Sequence, residues 1–133
     1  LKGKAPKGMI AYLIEQEFKD KNVICPHRND SYMVNGVEYN LHGDKGSGGS
    51  RGSSVQFRKL PVKSTSNHGH SPIINGGNFV TGTFTCLRLV YNEGLSSWMH
   101  SMVIQDNLGK RQQVLFINGE YTTFETWNQQ TIK

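Results

Sequence analysis

The stretch SPIINGGNFVTGTFTCLRLVYNEGLSSWMHSMVIQD, residues 71–106, decides how the rest of the chain is read. Two strand-like runs, 83–92 and 98–106, flank a short polar turn, and a Gly-punctuated loop precedes them. Successive side chains of a strand point to opposite faces. Leu87, Leu89 and Tyr91 therefore share one face of the first run, and Cys86, Arg88 and Val90 share the other. A charged Arg in mid-strand does not enter a core without a partner. The pattern thus buries the Leu87/Leu89/Tyr91 face and turns Arg88 outward or into a cleft. In the second run His100, Met102, Ile104 and Asp106 share a face. Arg88 and Asp106 on one side of a sheet would form either an arginine–carboxylate site or an ordinary edge ion pair, and the pattern leaves both open.

Working outward, 133 residues make one domain, long enough to bury a core without metal or several disulfides. The net charge of +5 favours anionic partners such as nucleic acid. Its cations are dispersed, with Lys2, Lys4 and Lys7 at the start, Arg58, Lys59 and Lys63 midway, and Lys110 with Arg111 later. That spread excludes a dense nucleic-acid tail. No stretch approaches the roughly 18 apolar residues of a membrane span. A start at Leu1 rather than Met is expected where a leader or tag has been removed. Cys25 and Cys86 lie too far apart for a CxxC motif, and with five scattered histidines they make no zinc pattern. No metal or cofactor is expected. The cysteines form one disulfide in a secreted protein, or stay two buried thiols otherwise. Asn29-Asp30-Ser31 is a glycosylation sequon of a kind that is frequent by chance.

Residues 1–8 are basic, contain Gly and Pro, and read as a flexible start. Residues 9–18 fit a helix nearly as well as a strand with a polar tail. Residues 22–25 are a short β-prone run cut off by Pro26. Asp30-Ser31 offers an N-cap, after which Tyr32, Val34, Val37, Tyr39 and Leu41 line a short helix that ends at Gly43. The Gly/Ser-rich stretch 43–54 reads as a mobile loop or an engineered replacement for one, and lacks the GK[ST] ending of a phosphate loop. Strand character returns at 55–60, a polar loop follows at 64–70, and 72–74 starts a short strand before the turn at 75–78. Residues 107–110 turn again, 114–117 are a strand, and Asn118-Gly119 signals a hairpin to a partner strand at 121–127. The sum is an α+β fold, one short helix packed on a twisted antiparallel sheet of about four to six strands.

Three segments in this order are similar to the guanyl-specific ribonucleases of fungi. Cys25 precedes the expected helix ending in EYNLHGD at 38–44, SPII at 71–74 is followed by GNFVTG at 77–82, and RLVYNE spans 88–93. The resemblance covers roughly 23–117. It implies a catalytic arginine at Arg88, but the catalytic Glu position holds His70. The segment 55–59 lacks the family's histidine, and the acid-histidine position falls in 103–106, ending in Asp106. No base–acid pair remains where transesterification needs one, so His70, Arg88 and Asp106 are vestigial positions. A small basic domain of this kind resembles the ribonuclease-like secreted effectors of cereal powdery mildew fungi. That resemblance implies a secreted protein acting in the host cell cytoplasm as a monomer. Its implied partners are host plant proteins, including an intracellular immune receptor, and RNA. The group has a Tyr-x-Cys near the start and a second Cys near the end. Here Val23-Ile24-Cys25 lacks the Tyr and no Cys follows 117, so a Cys25–Cys86 bridge would be an unusual pairing.

Three functions stand beside one another. The first is a non-catalytic secreted effector, with Arg58, Lys59 and Arg88 as RNA or phosphate contacts. The second is an active guanyl-type endoribonuclease, with Arg88 as phosphate clamp and His70 with His100 or Asp106 as base and acid. The third is an unrelated secreted β-rich binding protein. Plainer roles exist for each residue: exposed loop or surface histidines at His70 and His100, packing at Trp98 and Trp127, and edge-strand charges at Arg58 and Lys59. Exposed loops at 43–54, 62–70 and 118–133 are the expected recognition surface.

Overall fold

Asn35-Gly36 is where the chain departs most from the expected order. Both residues have positive φ, 50° and 77°, the left-handed pair that a two-residue type I′ hairpin requires. Strand β1 (Met33–Val34) therefore folds straight back on β2 (Val37–Glu38), with Val34 opposite Val37. A reversal at this point replaces the short helix expected after Asp30-Ser31 and lined by Tyr32, Val34, Val37, Tyr39 and Leu41. The computed structural model describes residues 8–21, 23–28, 30–46 and 50–123. Of the start at 1–8 expected to be flexible, all but Gly8 lies outside them, as do the sequon residue Asn29 and residues from 124 onward, Trp127 included.

The remaining elements are α1 (Met9–Glu17), α2 (Ser54–Phe57), β3 (Lys63–Ser66), β4 (Ile73–Asn75), β5 (Asn78–Val80), β6 (His100–Gln105), β7 (Arg111–Ile117) and β8 (Glu120–Thr123). They make an α+β arrangement with two sheets. One has the order β1-β2-β3-β5-β4, the other β6-β7-β8. The second sheet is antiparallel throughout, and its β7–β8 turn is the Asn118-Gly119 reversal expected from sequence. The first sheet is mixed: β2, β3 and β5 run parallel to one another. An all-antiparallel meander is thus corrected for this sheet.

The 55–60 run is not a strand. Ser53 accepts a hydrogen bond from the Gln56 amide, caps the single turn α2, and Phe57 becomes its buried residue. Arg58 and Lys59 follow that turn and are exposed. The 83–92 run is also irregular. Thr83 makes one bridge to His100, and Asn92 then ties the loop by accepting from Leu89 N and donating to Leu87 O. These local side-chain bonds replace a ladder, so Leu87 and Leu89 are half-exposed rather than a buried face. Cys25 and Cys86 are both free thiols, so no bridge joins them.

Between the sheets the interior is largely polar. Val37, Phe57, Val80, Val114 and Leu115 are its buried apolar side chains, beside buried Ser64, Thr65, Ser66, Asn78, Thr83, Ser101 and Gln113. The Ser64-Thr65-Ser66 run, expected as loop, is the centre of the mixed sheet. Asn78 Nδ2 donates to Ser64 Oγ at 2.9 Å, and the Arg111 guanidinium donates to the carbonyls of Ser64 and Gly77 while lying over the Phe79 ring. Gln113 Nε2 donates to Val80 O and Ser101 Oγ, and so holds the two sheets together. The donors of this interior are paired, which lets a strand without apolar residues sit inside, while Asn78 Oδ1 and Gln113 Oε1 have no partner among the described residues.

Candidate functional site: a histidine groove at the strand ends

Ligands of sheets with parallel strands collect beyond the carboxyl ends of those strands. In this chain the carboxyl ends of β2, β3 and β5 lead to His42, to Asn67, His68 and His70, and to Thr81 respectively. The His42 carbonyl accepts hydrogen bonds from the amides of both Asn67 and His68, and Thr81 N donates to Ser66 O at 2.8 Å. Adjacent strand exits are thereby laced together. Two open cavities, about 380 and 370 Å³, share His42, Asn67, Thr81 and Val103 and form one groove along this edge. Arg28 lines one end; His70 and Phe84 line the other.

The histidines are placed with care. His68 Nδ1 and His42 Nε2 lie 3.2 Å apart, with the rings at 69°. His70 is one of three non-glycine residues with positive φ among the described residues, 54°, a backbone state in which His is enriched but which carries strain. Its carbonyl accepts from Met99 N, and its ring meets Trp98 edge-on at 4.3 Å. Beneath the groove, Glu38 anchors the loop that carries His42. Its carboxylate accepts from Ser31 Oγ and from the amides of Tyr32 and Asn40. Burial alone would raise the Glu38 pKa, yet these bonds outweigh it and hold the group below its ordinary value. Asp44, two residues after His42, pairs with Arg28. Desolvation works to raise its pKa, and the charges of Arg28 and His42 bring it down.

Such a pair of imidazoles can share a proton, relay one, or supply two nitrogen ligands at one point. Metal–nitrogen bonds of 2.0–2.1 Å in tetrahedral geometry put ligand nitrogens about 3.4 Å apart, close to the 3.2 Å seen here. Among the described residues, no group of three or more His, Cys, Asp or Glu side chains could hold a metal ion, so the pair offers part of a shell rather than a closed one.

The residues marked by sequence are scattered by comparison. Only His70 reaches the groove. Arg88 is exposed in the irregular 83–92 segment. Asp106 lies beyond the far end of β6 from His100, roughly 20 Å along a six-residue strand. Its Oδ1 accepts from the amides of Leu108 and Lys110, so Asp106 shapes the β6–β7 turn and is no partner for Arg88 at a site. Arg58 and Lys59 flank α2 and line none of the groove. The residue pattern singles out neither His42 nor His68 as a site residue, although His68 falls in the 62–70 loop expected as recognition surface. The nearest signal is the pair His68-Gly69-His70, which weighs little until the parallel pairing is known.

No protein-family profile matches the chain, and no solved structure matches it. Over 100 residues, 75% of the chain, it is 36% identical to Protein A1 of Escherichia phage T5. That alignment spans 18% of Protein A1, so the present chain corresponds to under a fifth of this phage relative.

Proposed function

We propose that the chain supplies the histidine-bearing part of a metal-dependent phosphoester hydrolase, with His42 and His68 as ligands to a divalent first-row metal. The observation that carries this reading is the 3.2 Å pair of ring nitrogens at the carboxyl ends of adjacent parallel strands. Imidazole suits Zn, Fe, Ni and Cu among such metals. A bound metal would polarise a phosphoryl oxygen and lower the pKa of a water. The chain's own residues do the rest. Asn67 and the Thr81 hydroxyl offer hydrogen bonds along the groove, and Arg28, with 61% of its side chain exposed, offers a cation to an anionic ester. His70, held by Trp98 and its own backbone, faces the same groove and is the candidate proton donor to a leaving oxygen. Where such a metal binds, solvent and substrate would complete its shell.

The test is a cobalt titration of metal-stripped protein, followed by visible absorption, alongside hydrolysis of bis-p-nitrophenyl phosphate. The wild type should take up cobalt saturably and hydrolyse the diester. His42→Ala and His68→Ala should lose both, while His100→Ala keeps the uptake. Saturable uptake that survives the His42→Ala/His68→Ala double change would overturn the assignment.

A non-catalytic effector on a ribonuclease-like scaffold, binding host protein or RNA, is the second reading. The α+β class and the +5 charge support it. The geometry supports it less, because 32–41 is a hairpin rather than a helix and Arg88 stands on no strand. The likeness to Protein A1 does not bear on it. That reading predicts neither metal uptake nor diester hydrolysis, so the same titration separates the two.

A further inference from the structure

Phe84 is 67% exposed, and the backbone on both sides of it is tied by hydrogen bonds. On one side Thr83 bridges to His100 and its amide donates to Met99 O at 3.0 Å. On the other, Thr85 N donates to Thr83 Oγ1, and His100 Nε2 donates to Thr85 O at 2.9 Å. The Phe84 ring lies parallel to the His100 ring, 5° between planes and 6.0 Å between centroids, with Phe116 edge-on at 5.5 Å. The Phe84 ring thus has two aromatic neighbours and keeps most of its surface open to solvent. The same residue lines the groove with His42 and His70.

An exposed flat ring beside a groove that would take a phosphoester can hold a base by stacking. From this we infer that Phe84 is a stacking platform for a nucleobase, so that the ester acted on at the histidines is a nucleotide in single-stranded nucleic acid. The inference rests on the phosphoester reading for the histidines and adds the substrate class. Every base presents a π face, so the platform gives affinity without sequence choice. His100 serves as a positioning residue: its proton is fixed on Nε2 by the Thr85 carbonyl, and its ring sets the plane of Phe84.

The experiment uses the whole chain and a short single-stranded DNA containing 2-aminopurine, whose fluorescence is quenched on stacking, with the same strand carrying an abasic residue as reference. Cobalt uptake is measured on every variant. Phe84→Trp should keep the quenching, and Phe84→Leu, which stays apolar but is not flat, should weaken binding at least about fivefold, in line with the loss of one base–aromatic stack. Neither change should alter cobalt uptake or binding of the abasic strand. Equal affinity and quenching for wild type and Phe84→Leu, or no quenching by the wild type, overturns the platform while leaving the metal site intact. Quenching that depends on Phe84 in a protein that takes up no cobalt upholds the platform and removes the hydrolase reading instead.

Discussion

Replacing Gly82 by Ala tests whether the groove depends on close contact between the two sheets. A Cβ at Gly82 would lie 1.9 Å from the Met99 carbonyl oxygen and 3.0 Å from Ser101 Oγ. Side-chain carbons essentially never come within 3.0 Å of another heavy atom, so the two backbones must separate by more than about 1 Å. Two hydrogen bonds cross this junction: Gly82 N to Ser101 Oγ at 2.6 Å, and Thr83 N to Met99 O at 3.0 Å. Each buried donor left unmade costs about 1–3 kcal/mol, so the change should destabilise by about 2–6 kcal/mol. With a urea dependence of about 2 kcal/mol/M, the unfolding midpoint should fall by about 1–3 M at unchanged slope. Gly77→Ala is the control. A Cβ there meets only Lys63 atoms at 3.6 and 3.7 Å, an ordinary contact, and its effect should stay within about 1 kcal/mol. Equal midpoints for the two variants would refute the close approach, and with it the way Thr81 and Phe84 are placed.

Leu115, fully buried in the middle strand of the three-stranded sheet, should cost about 2–5 kcal/mol when cut to Ala, measured by the same denaturation. Glu38 gives a pH dependence with a definite sign. Its folded-state pKa is held below the ordinary 4.5, so its contribution is present above that value and is lost as pH falls through the lower folded value. Thermal melts should therefore show the wild type losing stability from about pH 4.5 downward by more than Glu38→Gln does, and parallel curves would contradict the anchoring role.

Much of the second sheet was legible because its signals are local. Asn118-Gly119 has the chemistry of its turn, and the apolar residues of β6 and β7 announce strands. The first sheet was not legible, for two physical reasons. Asn35-Gly36 carries the same turn chemistry as Asn118-Gly119, but it follows the Asp30-Ser31 cap and sits among five apolar residues that could line a helix. The cap carries the sequence reading to a helix, whereas the left-handed pair decides the chain. Strand β3, Lys-Ser-Thr-Ser, has no apolar residue at all. It is a strand because Asn78 and Arg111 satisfy its hydroxyls and carbonyls from elsewhere, contacts separated by 14 and 47 residues. No window of sequence contains that information.

The same reasoning explains why the marked site and the observed groove share only His70. Strand pairing predicted from hairpins is antiparallel, and antiparallel reasoning sends attention to residues that face one another across a turn, such as Arg88 and Asp106. Parallel pairing instead aligns strand exits that are distant in the chain. His42 and His68 stand 26 residues apart, and they meet because β2 and β3 leave the sheet side by side in the same direction. Glu38 then becomes intelligible as more than a surface carboxylate. It sits on β2, three bonds from its side chain fix the backbone on either side of the hairpin, and the loop so fixed delivers His42 to His68. Loosening that loop by Glu38→Gln should therefore weaken cobalt uptake without touching a ligand. Removing Asp106, which shapes a turn at the far end of β6, should leave uptake unchanged.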